Sequence, residues 1–183
     1  GSLIVTALVI YFTQFLPFNY TVNSSLYAGI TNSTNLDGTE LLNINSTFDN
    51  IINIAKSKST LEKVSIRLLA TNLVHGDEWK DNMYIQAKHY RQLVQATPKE
   101  VLALVNRSSV DKTTENLTKY RKESGQNYIY AIFSRPTAYY SYAALNTIDV
   151  KRLGTSDLIE INYTTTDPGI AQNTVKILED ELM

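Results

Sequence analysis

The chain has 183 residues, with 17 basic and 18 acidic side chains and a formal net charge of −1. Its hydrophobic fraction of 43% excludes a disordered chain and is enough for one real core. The near-neutral balance argues against an electrostatic nucleic-acid binder, and the absence of cysteine removes disulfides, thiolate metal sites and cysteine nucleophiles together.

No charged residue occurs before Asp37. Within that stretch Leu3 to Leu16 is an almost unbroken apolar run, shorter than the roughly 20 residues of a membrane-spanning helix. Two readings fit it. One is a partial transmembrane segment, residues 1–17, stopped by Pro17, with Phe15, Phe18 and Tyr20 near the membrane–water boundary. The other is a buried strand or core helix, since Val, Ile, Thr, Tyr and Phe also favour strands. Residues 18–183 form the expected α/β domain.

Tyr20 to Ile30 alternates, with Val22, Leu26, Ala28 and Ile30 on one face, as in a half-buried strand. A turn-rich loop centred on Asp37-Gly38 follows, then a short helix carrying Phe48, Ile51, Ile52 and Ile54. Ser59 and Glu62 have the spacing of a capping box. The helix they open carries Leu61, Val64, Leu68 and Leu69, with Gly76 as its stop. Residues 83–95 form another expected helix. Thr97-Pro98 starts the next, because the missing N–H of proline costs nothing at the first helical position. Residues 109–122 are helical by propensity and polar except for Val110 and Leu117.

Tyr128 to Phe133 is apolar on both faces and reads as a central strand, broken by Arg135-Pro136. A short helix with Tyr139, Tyr140, Tyr142 and Leu145 comes next. Ile148 and Val150 mark an edge-like strand, and residues 154–156 turn the chain. Leu158 to Thr164 is a strand with Ile159, Ile161 and Tyr163 on one face. Asp167-Pro168-Gly169 then starts a helix, with Asp at the N-cap and Pro in the first turn. That helix has no stop signal before Met183 and is expected to continue. The order of elements predicts an α/β (α+β) sandwich with a mixed or antiparallel sheet.

Residues that could carry chemistry are few. Nothing marks a nucleotide site or a serine nucleophile elbow, and no cofactor is implied. His75 and His89 are too far apart in sequence for a local metal pair, and read as a loop and a helix-surface histidine. Asp157, Glu160 and Asp167 lie close in sequence, but a turn and a helix cap account for Asp157 and Asp167. The chain has twelve tyrosines, clustered at 128, 130, 139, 140 and 142. Packing on a pleated sheet explains them; stacking on sugar faces by Tyr139, Tyr140 and Tyr142 beside Arg135 is the functional alternative. Lys151 and Arg152, beside Arg135, could touch an anionic glycan but read as solvated charges. Seven Asn-x-Ser/Thr triplets, at Asn19, Asn23, Asn32, Asn45, Asn106, Asn116 and Asn162, follow from an Asn- and Thr-rich composition, and Asn162 falls in a strand.

Three stretches together carry a resemblance: Ser59 to Leu73, Ile148 to Tyr163 and Asp167 to Leu178. The strand Ser156-Asp-Leu-Ile-Glu-Ile followed by Asp167-Pro168-Gly169 is the most specific piece. In that order they resemble the periplasmic domain of Wzz-type chain-length determinants, the polysaccharide co-polymerases, in the variety of Bacteroides-like bacteria. The resemblance spans residues 18–178. It implies a non-enzymatic regulator anchored in the bacterial inner membrane and facing the periplasm. Such a protein assembles as a homo-oligomer and sets the length of O-antigen, capsule or exopolysaccharide made by a Wzy-type polymerase. The second membrane helix and the Pro-rich flank of the family pattern are missing from these residues, and no kinase domain with a Walker motif is present.

Overall fold

The computed structural model describes residues 4–6, 18–29 and 38–183. Most of the apolar run from Leu3 to Leu16, Pro17 and residues 31–37 of the expected loop lie outside the described residues. No helix among the described residues is long and apolar enough to cross a membrane.

The sheet is antiparallel and its alternation sets the layers. Strand β1 (Tyr20–Tyr27) pairs along its whole length with β3 (Leu158–Thr165), from Tyr20 opposite Thr165 to Tyr27 opposite Leu158. Strand β2 (Asp149–Arg152) flanks β3 on its other side, so among the described strands β3 is central and the order is β1-β3-β2. Ile159, Ile161 and Tyr163 of β3 and Val150 of β2 are buried, with Val22 and Leu26 of β1 half-buried beside them. Each fully buried Ile contributes about 1.5–3 kcal/mol. The opposite face is polar. Thr21 meets Thr164 at 2.8 Å, and Asn23 donates to Asn162 at 2.6 Å.

Glu160 on this open face accepts from Asn23 Nδ2 at 2.8 Å and pairs with Lys151 Nζ at 3.0 Å. The Asn23 hydrogen bond first, and the Lys151 contact second, hold its carboxyl below the ordinary value of 4.5. The fold therefore favours the ionised form. That contribution is present above pH 4.5 and is lost as the pH falls below it. An NMR titration of the Glu160 carboxyl carbon is expected to show a midpoint below 4.5 that rises in Asn23→Ala; a midpoint at or above 4.5 in the native chain would contradict this.

The buried face is covered by the last helix, α8 (Pro168–Leu182), which packs on β1 and β3. Behind it lies α2 (Lys58–His75), and behind α2 lies α5 (Val110–Glu123). Helix α1 (Gly38–Lys56) packs against α2, β2 and α8. The core is continuous from Ile159 and Ile161 through Ile170, Val175 and Leu178 of α8 to Leu61, Val64, Leu68 and Leu69 of α2. Helix α5 is as polar as its composition requires. It buries Thr113 and Leu117, and ties to α2 through Arg121–Glu62 at 2.7 Å and Arg67–Asp111 at 3.0 Å.

Several expectations are corrected. Residues 128–133 form not a strand but helix α6 (Tyr128–Ser134). The Asn127 side chain caps it by accepting from the Tyr130 amide, and Ile129, Ile132 and Phe133 turn inward at helical spacing while Tyr130 faces out. Tertiary burial thus overrides the strand preference of aromatic and β-branched residues. Ser59 and Glu62 do not form a capping box. Ser57 is the cap of α2, accepting from Thr60, which places Ser59 inside the helix and frees Glu62 to pair with Arg121.

The helix expected over 48–54 is longer, and Gly38 is its first residue rather than a loop centre. The helix expected over 83–95 begins only at Ala87 (α3, Ala87–Ala96). Asp77 and Asn82 accept backbone N–H groups ahead of it and hold those residues in turns, and Asp81 accepts from the Ala87 amide at its first residue. The Pro98 start yields only a four-residue helix, α4 (Lys99–Leu102), with Pro98 as its cap. The tyrosine-rich helix is equally short, α7 (Tyr142–Leu145), and leaves Tyr139 and Tyr140 before it. Gly76 does end α2, but with φ −62°. A Cβ there would fall 2.0 Å from the Tyr90 ring, so close packing, not a left-handed turn, requires glycine.

Candidate functional site

Asp167 organises the region where α8 starts. Its Oδ1 accepts from the Gly169 and Ile170 amides at 3.0 and 3.1 Å, which satisfies two otherwise orphaned donors of the first turn. Its Oδ2 accepts from the Gln86 amide at 2.9 Å and from His89 Nδ1 at 2.7 Å. The carboxylate is wholly buried and His89 is 12% exposed. A carboxylate can only accept, so Nδ1 is assigned as the donor of this bond. Nε2 faces the Tyr139 hydroxyl at 3.3 Å, and that hydroxyl meets Thr166 Oγ1 at 2.7 Å. One side chain thereby caps α8, anchors the chain ahead of α3 and fixes an imidazole.

A cavity of about 410 Å³ opens beside this cluster. Two helices supply most of its walls, each through residues at i, i+3, i+4 and i+7. From α3 these are His89, Gln92, Leu93 and Ala96; from α6 and its end they are Tyr128, Ala131, Ile132 and Arg135. Thr137 to Tyr140 closes the remaining side. The volume falls within the roughly 300–1,000 Å³ of small-molecule sites. Burial, the largest influence on each, raises the pKa of Tyr128 and Tyr139 above 10, so both phenols are neutral near pH 7. The Tyr128 hydroxyl meets Thr97 Oγ1 at 3.2 Å. The arrangement offers aromatic and aliphatic surface, neutral hydroxyls, an imidazole edge and one guanidinium.

Of the four residues expected to contact a glycan, Tyr139, Tyr140 and Arg135 line this cavity. Tyr142 does not; its ring packs edge-on against Phe133 at 6.0 Å. Tyr140 is 4% exposed, and its hydroxyl accepts from Asn72 Nδ2 at 2.8 Å. Burial drives its pKa strongly upward. Asn72 is itself 0% exposed and its Oδ1 has no partner among the described residues. Removing the Tyr140 hydroxyl leaves a buried amide with neither end satisfied. Tyr140→Phe is expected to cost about 1–3 kcal/mol in urea unfolding, and adding Asn72→Leu to recover part of it. An additive double variant would contradict that coupling.

The three carboxylates close in sequence do not converge. Glu160 lies on the open sheet face with Asn23 and Lys151, while Asp167 is buried at the start of α8. Asp157 lies beside β1, its carbonyl accepting from the Ala28 amide. Lys151 and Arg152 are engaged away from the cavity: Lys151 with Asp149 and Glu160, Arg152 with Asn45, the carbonyls of Thr155 and Ser156, and the Phe48 ring. Among the described residues no group of three or more His, Asp or Glu side chains is placed to hold a metal ion.

The reading of His89 as a helix-surface residue is corrected by its bond to Asp167. Gln92 and Tyr128 were likewise not singled out as wall residues; the i, i+3, i+4, i+7 pattern from His89 was the signal that could have found the face. His75 ends α2 with its ring stacked on Tyr84 at a 4.1 Å centroid distance. No family model matches this chain, and neither the curated proteins nor the solved structures contain a significant match to it.

Proposed function

We propose that this chain is a non-enzymatic regulator of polysaccharide length, acting with a Wzy-type polymerase as a homo-oligomer in the bacterial inner membrane, with residues 18–183 in the periplasm. The observation that carries the reading is the route of the chain at the end of the sheet where β1 begins, just after the apolar run in the sequence. Strand β1 begins directly after that run in the sequence, and Tyr20 lies opposite Thr165, so the start of β1 and the start of α8 share one end of the sheet. Helix α8 then leads away from that end, reaching Ser24, whose hydroxyl donates to Glu179. A membrane anchor, a sheet at its foot and a helix leading outward fit a base standing on a membrane. Phe18 is exposed at the foot of β1, where an aromatic ring suits the interface. Ile4 and Val5 are exposed rather than packed into the core.

The oligomer is the first test of this reading. The product of the intact gene, extracted in mild detergent, is expected to run as a discrete homo-oligomer by native mass spectrometry; a monomer at all concentrations would contradict it. The cavity favours a second, compatible reading, in which the domain holds a saccharide. Its aromatic wall and its hydroxyl and imidazole groups are the features that support it.

A further inference from the structure

We propose that the cavity between α3 and α6 binds an acidic pyranose unit of a polysaccharide, with Arg135 receiving the sugar carboxylate. This inference rests on the saccharide-binding reading and adds the charge of the ligand.

The guanidinium of Arg135 is the observation behind it. Five of the six arginines are engaged within the fold: Arg67 with Asp111, Arg91 with the Glu78 carbonyl, Arg107 with Tyr90, Arg121 with Glu62 and Arg152 with Asn45. Arg135 is exposed on the cavity wall, and its guanidinium has no hydrogen bond or ion pair among the described residues. The packing of the domain does not use it. No acidic side chain among the described residues lines the cavity, and the Asp167 carboxylate behind His89 is turned to its own four donors. A planar fork without a partner beside a neutral wall suits a carboxylate, which it can hold bidentately.

The remaining groups suit the body of a sugar. Tyr128 and Tyr139 present ring surface for the C–H face of a pyranose. The Gln92 amide, which has no partner among the described residues, can bond a ring hydroxyl. Arg135 and Ala131 also line a second hollow, of about 280 Å³, with Tyr130 and Gln126. The guanidinium therefore stands between two adjoining hollows, as a polymer passing from one to the other would require.

Calorimetric titration of the full chain with tetragalacturonate tests this, with maltotetraose as the neutral probe and benzoate as a non-sugar carboxylate. Tetragalacturonate is expected to bind saturably and more weakly as salt rises. Arg135→Gln is expected to weaken it about tenfold, and Ala96→Trp, which fills the cavity, to abolish it. Both variants change exposed residues, and each is expected to keep the native circular dichroism spectrum. Equal binding of maltotetraose, unaffected by Arg135→Gln, would overturn the recognition of charge. Binding of benzoate alone would overturn the sugar, and no tetragalacturonate binding at about 10 mM would overturn the site. Absence of binding in a chain whose deletion still alters polysaccharide length sinks this inference and spares the length-control reading. Binding beside unaltered lengths does the reverse.

Discussion

Asp167→Ala is expected to destabilise the chain by about 4 kcal/mol, the largest effect of any single side-chain truncation near the cavity. Loss of the cap alone costs about 1 kcal/mol. The rest comes from the donors left behind. The Gln86 amide and His89 Nδ1 lose their acceptor at a buried site, and each such orphan costs about 1–3 kcal/mol. For a chain of this size that corresponds to a fall of about 8–16 °C in the thermal midpoint. Asp167→Asn keeps an oxygen for the cap but presents an amide to donors, so about half the loss is expected. Thermal unfolding followed by circular dichroism measures both. A loss within about 1 kcal/mol for the alanine variant would show that Asp167 is only a helix cap.

Gly169→Ala is expected to cost about 2–3 kcal/mol, although alanine is the better helix former. A Cβ at Gly169 would fall 2.6 Å from the Tyr84 carbonyl carbon, 2.8 Å from its oxygen and 2.9 Å from the Ile85 nitrogen. These are backbone atoms, so no side-chain rotation relieves the contact. The segment from Met83 to Gln86 lies over the start of α8 and is held there by Asn173, which donates to the Met83 carbonyl at 2.9 Å, and by the Gln86 bond to Asp167. The displaced segment should lose the Gln86 bond, so amide exchange at Gln86 is expected to accelerate together with a lower urea midpoint. An unchanged midpoint and unchanged exchange would contradict the close approach.

Both residues were visible in the sequence, though with narrower roles. Asp167-Pro168-Gly169 identified the start of α8, and the alternation of Ile159, Ile161 and Tyr163 identified the buried face of β3, because caps and strand periodicity are local signals. Gly169 read as part of a start signal; the reason no larger residue fits is a segment more than eighty positions earlier. Tyr128 to Phe133 was illegible for a related reason. An apolar run of six residues suits a buried strand or a buried helix equally, and only the helices packed around it decide. The clue that favoured a helix was Asn127, a good cap immediately before the run. Ser59 matched a capping pattern, yet Ser57, two residues earlier, reached the Thr60 amide first.

The cavity shows the same division. The sequence pointed to tyrosines 139 and 140 and to Arg135 as a group, and these do share a wall. It gave no reason to join them to His89, because that link passes through Asp167, 78 residues further along the chain. Tyr142 sat in the same cluster by sequence, but the turn into α7 directs it toward Phe133. Proximity in sequence thus identified a region, and the placement of α3 against α6 selected the residues within it.

The central claim, control of polysaccharide length, is tested most directly by gel analysis of surface polysaccharide from cells with the intact gene, without it, and with it restored. The account predicts a clustered length distribution that becomes random or short on deletion and returns on restoration. An identical distribution in all three strains would contradict it.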